Sequence, residues 1–166
     1  MSIGLWQLNT FGKNMFLAQL GGVFEHSPWV AERAWERRPF HSINELHEAM
    51  MNAVNGAAEE QVTGLICAHP DLAARMQLSP YSSAEQQGAG LTQLSSEEYR
   101  QFTERNTAYK AKFGFPFIMA VRGKTKSELL AAMQERLHHT VQQERKQALL
   151  EIHRITLFRL MDLIEE

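Results

Sequence analysis

The sequence predicts an all-α fold, one compact helical domain over residues 1–166 whose irregular loops carry the active site. Three observations lead there. Helix start signals recur along the chain while the apolar/polar alternation of strands is absent. Tyr99, Phe102, Asn106, Tyr109 and Phe113 are spaced 3, 4, 3, 4, which lines them along one side of a helix. An apolar share of 44% and a charged share of 22% in 166 residues are enough to build one substantial core.

Taken in order, the first helix stops at Gly21-Gly22. Ser27 reads as the N-cap of the next, with Pro28 at its first helical position. Ser42 and Glu45 have capping-box spacing and open a third helix that ends at Gly56. Pro70 breaks the helix that precedes it, because proline cannot continue the hydrogen-bond ladder. Ser95 with Glu98 opens the helix of the aromatic stripe, which stops at Gly114 before Pro116. Thr125 with Glu128 opens a long C-terminal tract. Leu129, Leu130, Met133, Leu137 and Val141 form its first stripe; Leu149, Ile152, Ile155, Phe158 or Leu160, and Leu163 form a second. Gln142 to Gln147 is wholly polar and Thr140 with Gln143 can cap a new start, so a break is expected at 139–143. Residues 69–94 and 114–124 are expected to be irregular, and loops on a rigid frame are where function concentrates.

Several function classes are disfavoured. Net charge is −2 and the basic residues are dispersed, unlike a nucleic-acid-binding surface. Cys67 is the only cysteine, so no internal disulfide forms; a buried structural thiol in a reducing compartment is expected. The opening Met1-Ser2-Ile3-Gly4-Leu5-Trp6 lacks the features of a secretory signal, and the final Ile164-Glu165-Glu166 is not a peroxisomal address. No run approaches the roughly 20 apolar residues of a membrane span. A cytoplasmic protein without membrane partners is the expectation. His138 and His139 are adjacent and project in different directions, while His41 and His47 lack a Cys or carboxylate at zinc spacing. Gly88-Ala89-Gly90 is too short for a phosphate loop. No metal and no cofactor is expected.

The candidate chemistry begins at Cys67-Ala68-His69-Pro70-Asp71-Leu72-Ala73. An imidazole titrates near neutrality and can move a proton at physiological pH. A lone histidine is more often a cap or a core residue, but a residue before proline is pushed out of helical conformation and can face a cavity. Ser82-Ser83-Ala84-Glu85-Gln86 then offers hydroxyls, a carboxylate and an amide; these suit a urea-like ligand and are also ordinary turn residues. Phe115-Pro116-Phe117-Ile118-Met119-Ala120-Val121 is an apolar wall, and Arg122 at its end suits either a substrate carboxylate or plain solvent exposure. Asn106, inside the aromatic stripe, must find a partner and is expected to brace a neighbouring loop.

These segments, with Phe102, Asn106, Tyr109 and Lys112-Phe113-Gly114, closely resemble the OHCU decarboxylases. That family acts on 2-oxo-4-hydroxy-4-carboxy-5-ureidoimidazoline (OHCU) at the last step from urate to (S)-allantoin. The likeness runs in order through residues 5–164, and includes the opening Gly21-Gly22-Val23-Phe24-Glu25-His26-Ser27-Pro28-Trp29. It implies an all-α, cofactor-free and usually homodimeric enzyme. By resemblance His69 corresponds to the catalytic histidine and Glu85 to its paired carboxylate. Pro70, Ser82, Ser83, Ala84 and Gln86 correspond to substrate contacts, as do Phe117, Ile118, Met119, Ala120 and Val121, with Arg122 beside them. The rival reading is a non-enzymatic helical module that uses the 125–164 tract as a partner surface. A third reading is a different cofactor-free lyase or a thiol-dependent, peroxidase-like helical protein, and it suffers from the single cysteine.

Overall fold

The computed structural model describes residues 1–74 and 79–166. Its elements in chain order are β1 (Ile3–Gly4), α1 (Leu5–Thr10), α2 (Lys13–Leu20), α3 (Trp29–Trp35), α4 (Ile43–Asn55), α5 (Glu59–Cys67), α6 (Pro80–Gly88), α7 (Ser96–Phe113), α8 (Lys126–Arg136), α9 (Val141–Leu163) and β2 (Ile164–Glu165). The all-α expectation is met. One correction is the short parallel pairing of β1 with β2, Ile3 opposite Ile164, which two-residue strands are too short to announce by alternation. Among the described residues no helix is long and apolar enough to cross a membrane. Contacts divide the chain into two compact units, Met1–Ala68 with His153–Glu166, and His69–Ile152.

In the first unit the tract before Gly21 is two helices, interrupted at Phe11-Gly12. Gly21 then closes α2, its N–H donating to Leu17 O at 2.8 Å. A Cβ at this position would stand 2.5 Å from that carbonyl, so only glycine fits so tight a stop. The Ser27 expectation is off by one: Pro28 is the N-cap of α3 and already helical. The Ser27 hydroxyl donates backwards to Glu25 O, away from the first-turn amides. Ser42 does cap α4, accepting from Glu45 N–H at 3.1 Å. Glu45 reaches past it to the His41 N–H at 2.7 Å, so the box is half-made.

The core of this unit includes Leu8, Phe16, Leu20, Phe24, Leu46, Met50 and Leu65, all fully enclosed. Polar side chains are buried among such residues, Arg159 with Glu25 and His47 with Thr156 among them. Arg159 Nη1 donates to Val23 O and to Glu25 Oε2, each at 3.0 Å, which ties the end of α9 to the loop before α3. His47 on α4 meets Thr156 Oγ1 through Nε2 at 2.9 Å and lies edge-on to the His153 ring at 4.5 Å. Burial pushes the His47 pKa down to about 4, helped by the neighbouring His153. His47 is a neutral core histidine.

The second unit holds α6, α7, α8 and residues 141–152 of α9. Ser95 and Glu98 form a full capping box on α7, as do Thr125 and Glu128 on α8. Phe102, Asn106, Tyr109 and Phe113 are buried along one side of α7, as their spacing requires. Gly114 closes that helix at φ 79°, a left-handed conformation that glycine adopts without a steric penalty. The expected break in the C-terminal tract is present. Thr140 and Gln143 exchange reciprocal hydrogen bonds at 2.9 and 3.1 Å and start α9 afresh.

Candidate active site

Helix α5 buries Val62, Leu65 and Ile66 and ends at Cys67. His69 continues the same i, i+3, i+4, i+7 series past the helix end, and it is buried at 7% exposure with Nε2 shielded from solvent. Cys67 falls off that series. The expectation of a buried thiol is therefore corrected: Cys67 is exposed.

The backbone after His69-Pro70 is clamped by side chains of two other helices. Gln86 Oε1 on α6 accepts from Ala73 N–H at 2.9 Å, and its Nε2 donates to Asp71 O at 3.3 Å. Asn106 Nδ2 on α7 donates to Leu72 O at 2.8 Å, so Asn106 braces a loop as expected. Lys110 Nζ adds an ion pair to Asp71 at 3.2 Å. Held this way, Ala73 sits at φ 60°, a conformation that costs a non-glycine residue on the order of 1–2 kcal/mol. The neighbours over-determine the turn that follows the imidazole.

The segment Ser82–Gln86, expected in a loop, is helical. Ser79 caps α6 by accepting from Ser82 N–H at 3.2 Å, with Pro80 at the first position. The Ser79-Pro80 pair is the signal that identifies this start. Helical spacing then sorts the candidates: Ser82 and Gln86 are buried and Glu85 half-buried on one face, while Ser83 and Ala84 are exposed. Gln86 thus joins the helix carrying Glu85 to the turn following His69. Two small cavities of about 250 and 260 Å³ border this turn; Gln86, Leu91 and Tyr99 line one, Asp71, Tyr99 and Asn106 the other. A separate cleft of about 780 Å³ lies over α3, α4 and the start of α5 among Arg33, Arg37, Glu45 and Glu48, and its lining includes none of the candidate residues.

The strip after Gly114 has no regular secondary structure. Phe117, Ile118, Ala120 and Val121 are buried, Met119 is half-buried, and Arg122 is exposed in a turn completed by Gly123 at φ 75°. Tyr109 anchors the strip, its ring edge-on to Phe117 at 5.3 Å and to Phe115 at 6.0 Å. Its hydroxyl donates to Glu144 Oε1 at 2.5 Å. Burial raises the Tyr109 pKa, and the bond to Glu144 adds to the shift.

Sequence reasoning missed the rest of this cluster. Arg136 donates from Nε to Glu144 Oε1 and from Nη1 to Ile118 O, both at 2.7 Å, and stacks on Phe117 at 4.3 Å. His139 Nδ1 meets the other Glu144 oxygen at 2.8 Å. Glu144 sits in the polar stretch 142–147 yet is fully buried; only its tertiary partners mark it out. Among the described residues no group of three or more His, Cys, Asp or Glu is arranged to hold a metal ion. A buried imidazole beside a clamped turn suits proton handling on a small polar molecule.

Comparison with known proteins places the whole chain in one family. The OHCU decarboxylase family model matches residues 9–161. The chain is 42% identical over 158 residues to the 2-oxo-4-hydroxy-4-carboxy-5-ureidoimidazoline decarboxylase of Haloferax volcanii, covering 95% of this chain and 94% of that one. It is 44% identical over 162 residues to a uric acid degradation bifunctional protein of Bacillus sp. strain TB-90, covering 98% of this chain but 32% of that longer relative. The crystal structure of an (S)-allantoin synthase superposes with a TM-score of 0.81 at 34% identity, covering 98% of this chain and 54% of that one. The chain belongs to the OHCU decarboxylase family.

Proposed function

We propose that this chain decarboxylates OHCU to (S)-allantoin in urate degradation, with His69 handling the proton and Glu85 orienting its ring. Family membership supports the reaction class. The observation that carries the residue assignment is the buried His69 beside a turn clamped by Gln86 and Asn106.

The substrate carries its carboxylate on a carbon that also bears a hydroxyl and adjoins a ring C=N. When the bond to the carboxylate breaks, CO2 leaves and the bonding pair moves into that C=N. The ring nitrogen and the neighbouring carbon each take up a proton, and the hydroxyl gives one up to become a carbonyl. The net exchange is CO2 for one proton. The substrate is its own electron sink, so the protein's task is to orient it and to deliver the carbon-bound proton to one face. His69 does this, while Pro70, Ser82, Ser83, Ala84 and Gln86 line the polar end. Gln86 acts chiefly by holding the turn, since both ends of its amide already bind backbone. Phe117, Ile118, Met119, Ala120 and Val121 exclude water from the breaking carboxylate and offer backbone groups to the ureido tail. Arg122 stands beside them and attracts the anionic substrate.

The working unit is one catalytic domain, a reading supported by a family match that runs across residues 9–161. We assign it to the cytosol as a homodimer free of nucleic-acid and membrane partners; the family resemblance, the single cysteine and the net charge of −2 support this. The reaction is tested with OHCU freshly generated from urate, followed by circular dichroism. Rapid growth of the (S)-allantoin signal above the spontaneous rate is expected. Racemic decay at the spontaneous rate, with folded protein present, contradicts the assignment.

A further inference from the structure

We propose that Arg136 is a positioning residue for this reaction, fixing the backbone of the Phe117–Val121 strip. The inference rests on the reading of that strip as a substrate-binding surface. The strip lacks the internal hydrogen bonds of a helix or sheet, so the direction of its carbonyls and amides must be set from outside. Arg136 sets it at two points. Nη1 holds the Ile118 carbonyl, and the guanidinium carbon lies over the Phe117 ring, 4.3 Å from its centre.

The guanidinium is itself fixed. Glu144 grips Nε, and that carboxylate is held in turn by Tyr109 and His139. Residues from α7, α8, α9 and the α8–α9 connection therefore converge on one carbonyl of the strip. Arg136 and Glu144 are almost completely buried, at 7% and 0% exposure. A buried ion pair is a weak source of net stability, because desolvation offsets much of its attraction, and its attested use is to specify geometry. Arginine suits that use: its planar fork engages a carboxylate and a carbonyl at a fixed angle, which a lysine ammonium cannot do. The remaining nitrogen, Nη2, is buried without a hydrogen-bond partner among the described residues. Leaving a buried donor unmet is costly, so stability alone does not account for an arginine here.

The test compares Arg136→Lys with Thr125→Ala, a control that removes the cap of the helix carrying Arg136 and leaves the Ile118 contact intact. Two readouts are taken: steady-state kinetics, and hydrogen exchange of the 117–121 amides with and without (S)-allantoin. In the unaltered protein allantoin slows exchange across the strip. In Arg136→Lys that protection is lost and KM rises about tenfold with a smaller change in kcat, as when binding geometry alone is degraded. Thr125→Ala lowers Tm yet keeps KM and protection. An Arg136→Lys protein with protection intact and KM within about twofold of normal overturns the role of Arg136 alone. Absence of protection in the unaltered protein overturns the strip reading, and the Arg136 role with it. Should Arg136→Lys fail to fold, Glu144→Gln serves instead. It loosens the guanidinium while leaving Ile118 within reach, and an unchanged KM there overturns the proposal.

Discussion

Gln86 shows how much one side chain determines at this site. Its amide oxygen and nitrogen both bind the backbone of 71–73, and Ala73 is held at a φ it would not otherwise adopt. Gln86→Ala leaves a buried N–H and a carbonyl unmet, so unfolding free energy is expected to fall by about 1–3 kcal/mol. Activity should fall more than stability predicts, through kcat, because the turn after His69 loses its clamp. Gln86→Glu retains the acceptor for Ala73 and should recover part of both. A Gln86→Ala enzyme with unchanged kcat and denaturation midpoint would show that the turn holds itself. Of these residue-scale features, the sequence makes His69 and Asn106 legible because each has a local oddity: a proline after one, an apolar stripe around the other. The positive φ at Ala73 has no such mark, since the turn is held by Gln86, 13 positions from Ala73, and by Asn106, 34 positions from its partner Leu72.

At the scale of elements, what could be read in advance was what is local. The boxes at Ser95/Glu98 and Thr125/Glu128 lie within four residues, and both form as their spacing requires. Ser27-Pro28 and Ser79-Pro80 look alike in sequence but behave differently. In the first pair the serine hydroxyl turns back to Glu25, and in the second it caps the helix. Helix α6 is short and depends on that cap. Ser79→Ala is expected to cost about 1 kcal/mol and lower Tm by roughly 2–4 °C, read by thermal denaturation. Ser83→Ala, on the exposed face, should change stability by less than about 0.5 kcal/mol. The reverse order of effects would mean that α6 begins later and that Ser82, Glu85 and Gln86 do not share a face. Glu144 lay beyond local reading altogether: a carboxylate in a polar stretch reveals its burial only through Tyr109, Arg136 and His139.

At the scale of the whole molecule, the buried His47 ties stability to pH. Its folded pKa is pushed down to about 4, while an unfolded histidine titrates near 6.5. Between those values the unfolded chain binds more protons, so stability should decline as pH falls from about 6.5 toward 4. Urea midpoints across that range should slope downwards with acid, and His47→Gln should flatten the slope. An equal slope in the variant would place the acid sensitivity elsewhere. The proposed catalysis makes a different demand of His69, whose imidazole would exchange a proton during turnover while buried beside a clamped turn. The most direct test of that central claim is circular dichroism of allantoin formed from fresh OHCU by the unaltered protein and by His69→Ala. A drop of about 10²–10⁴-fold in the rate of (S)-allantoin formation, with folding unchanged, is predicted. A His69→Ala protein that still forms optically active allantoin at a near-normal rate would contradict it.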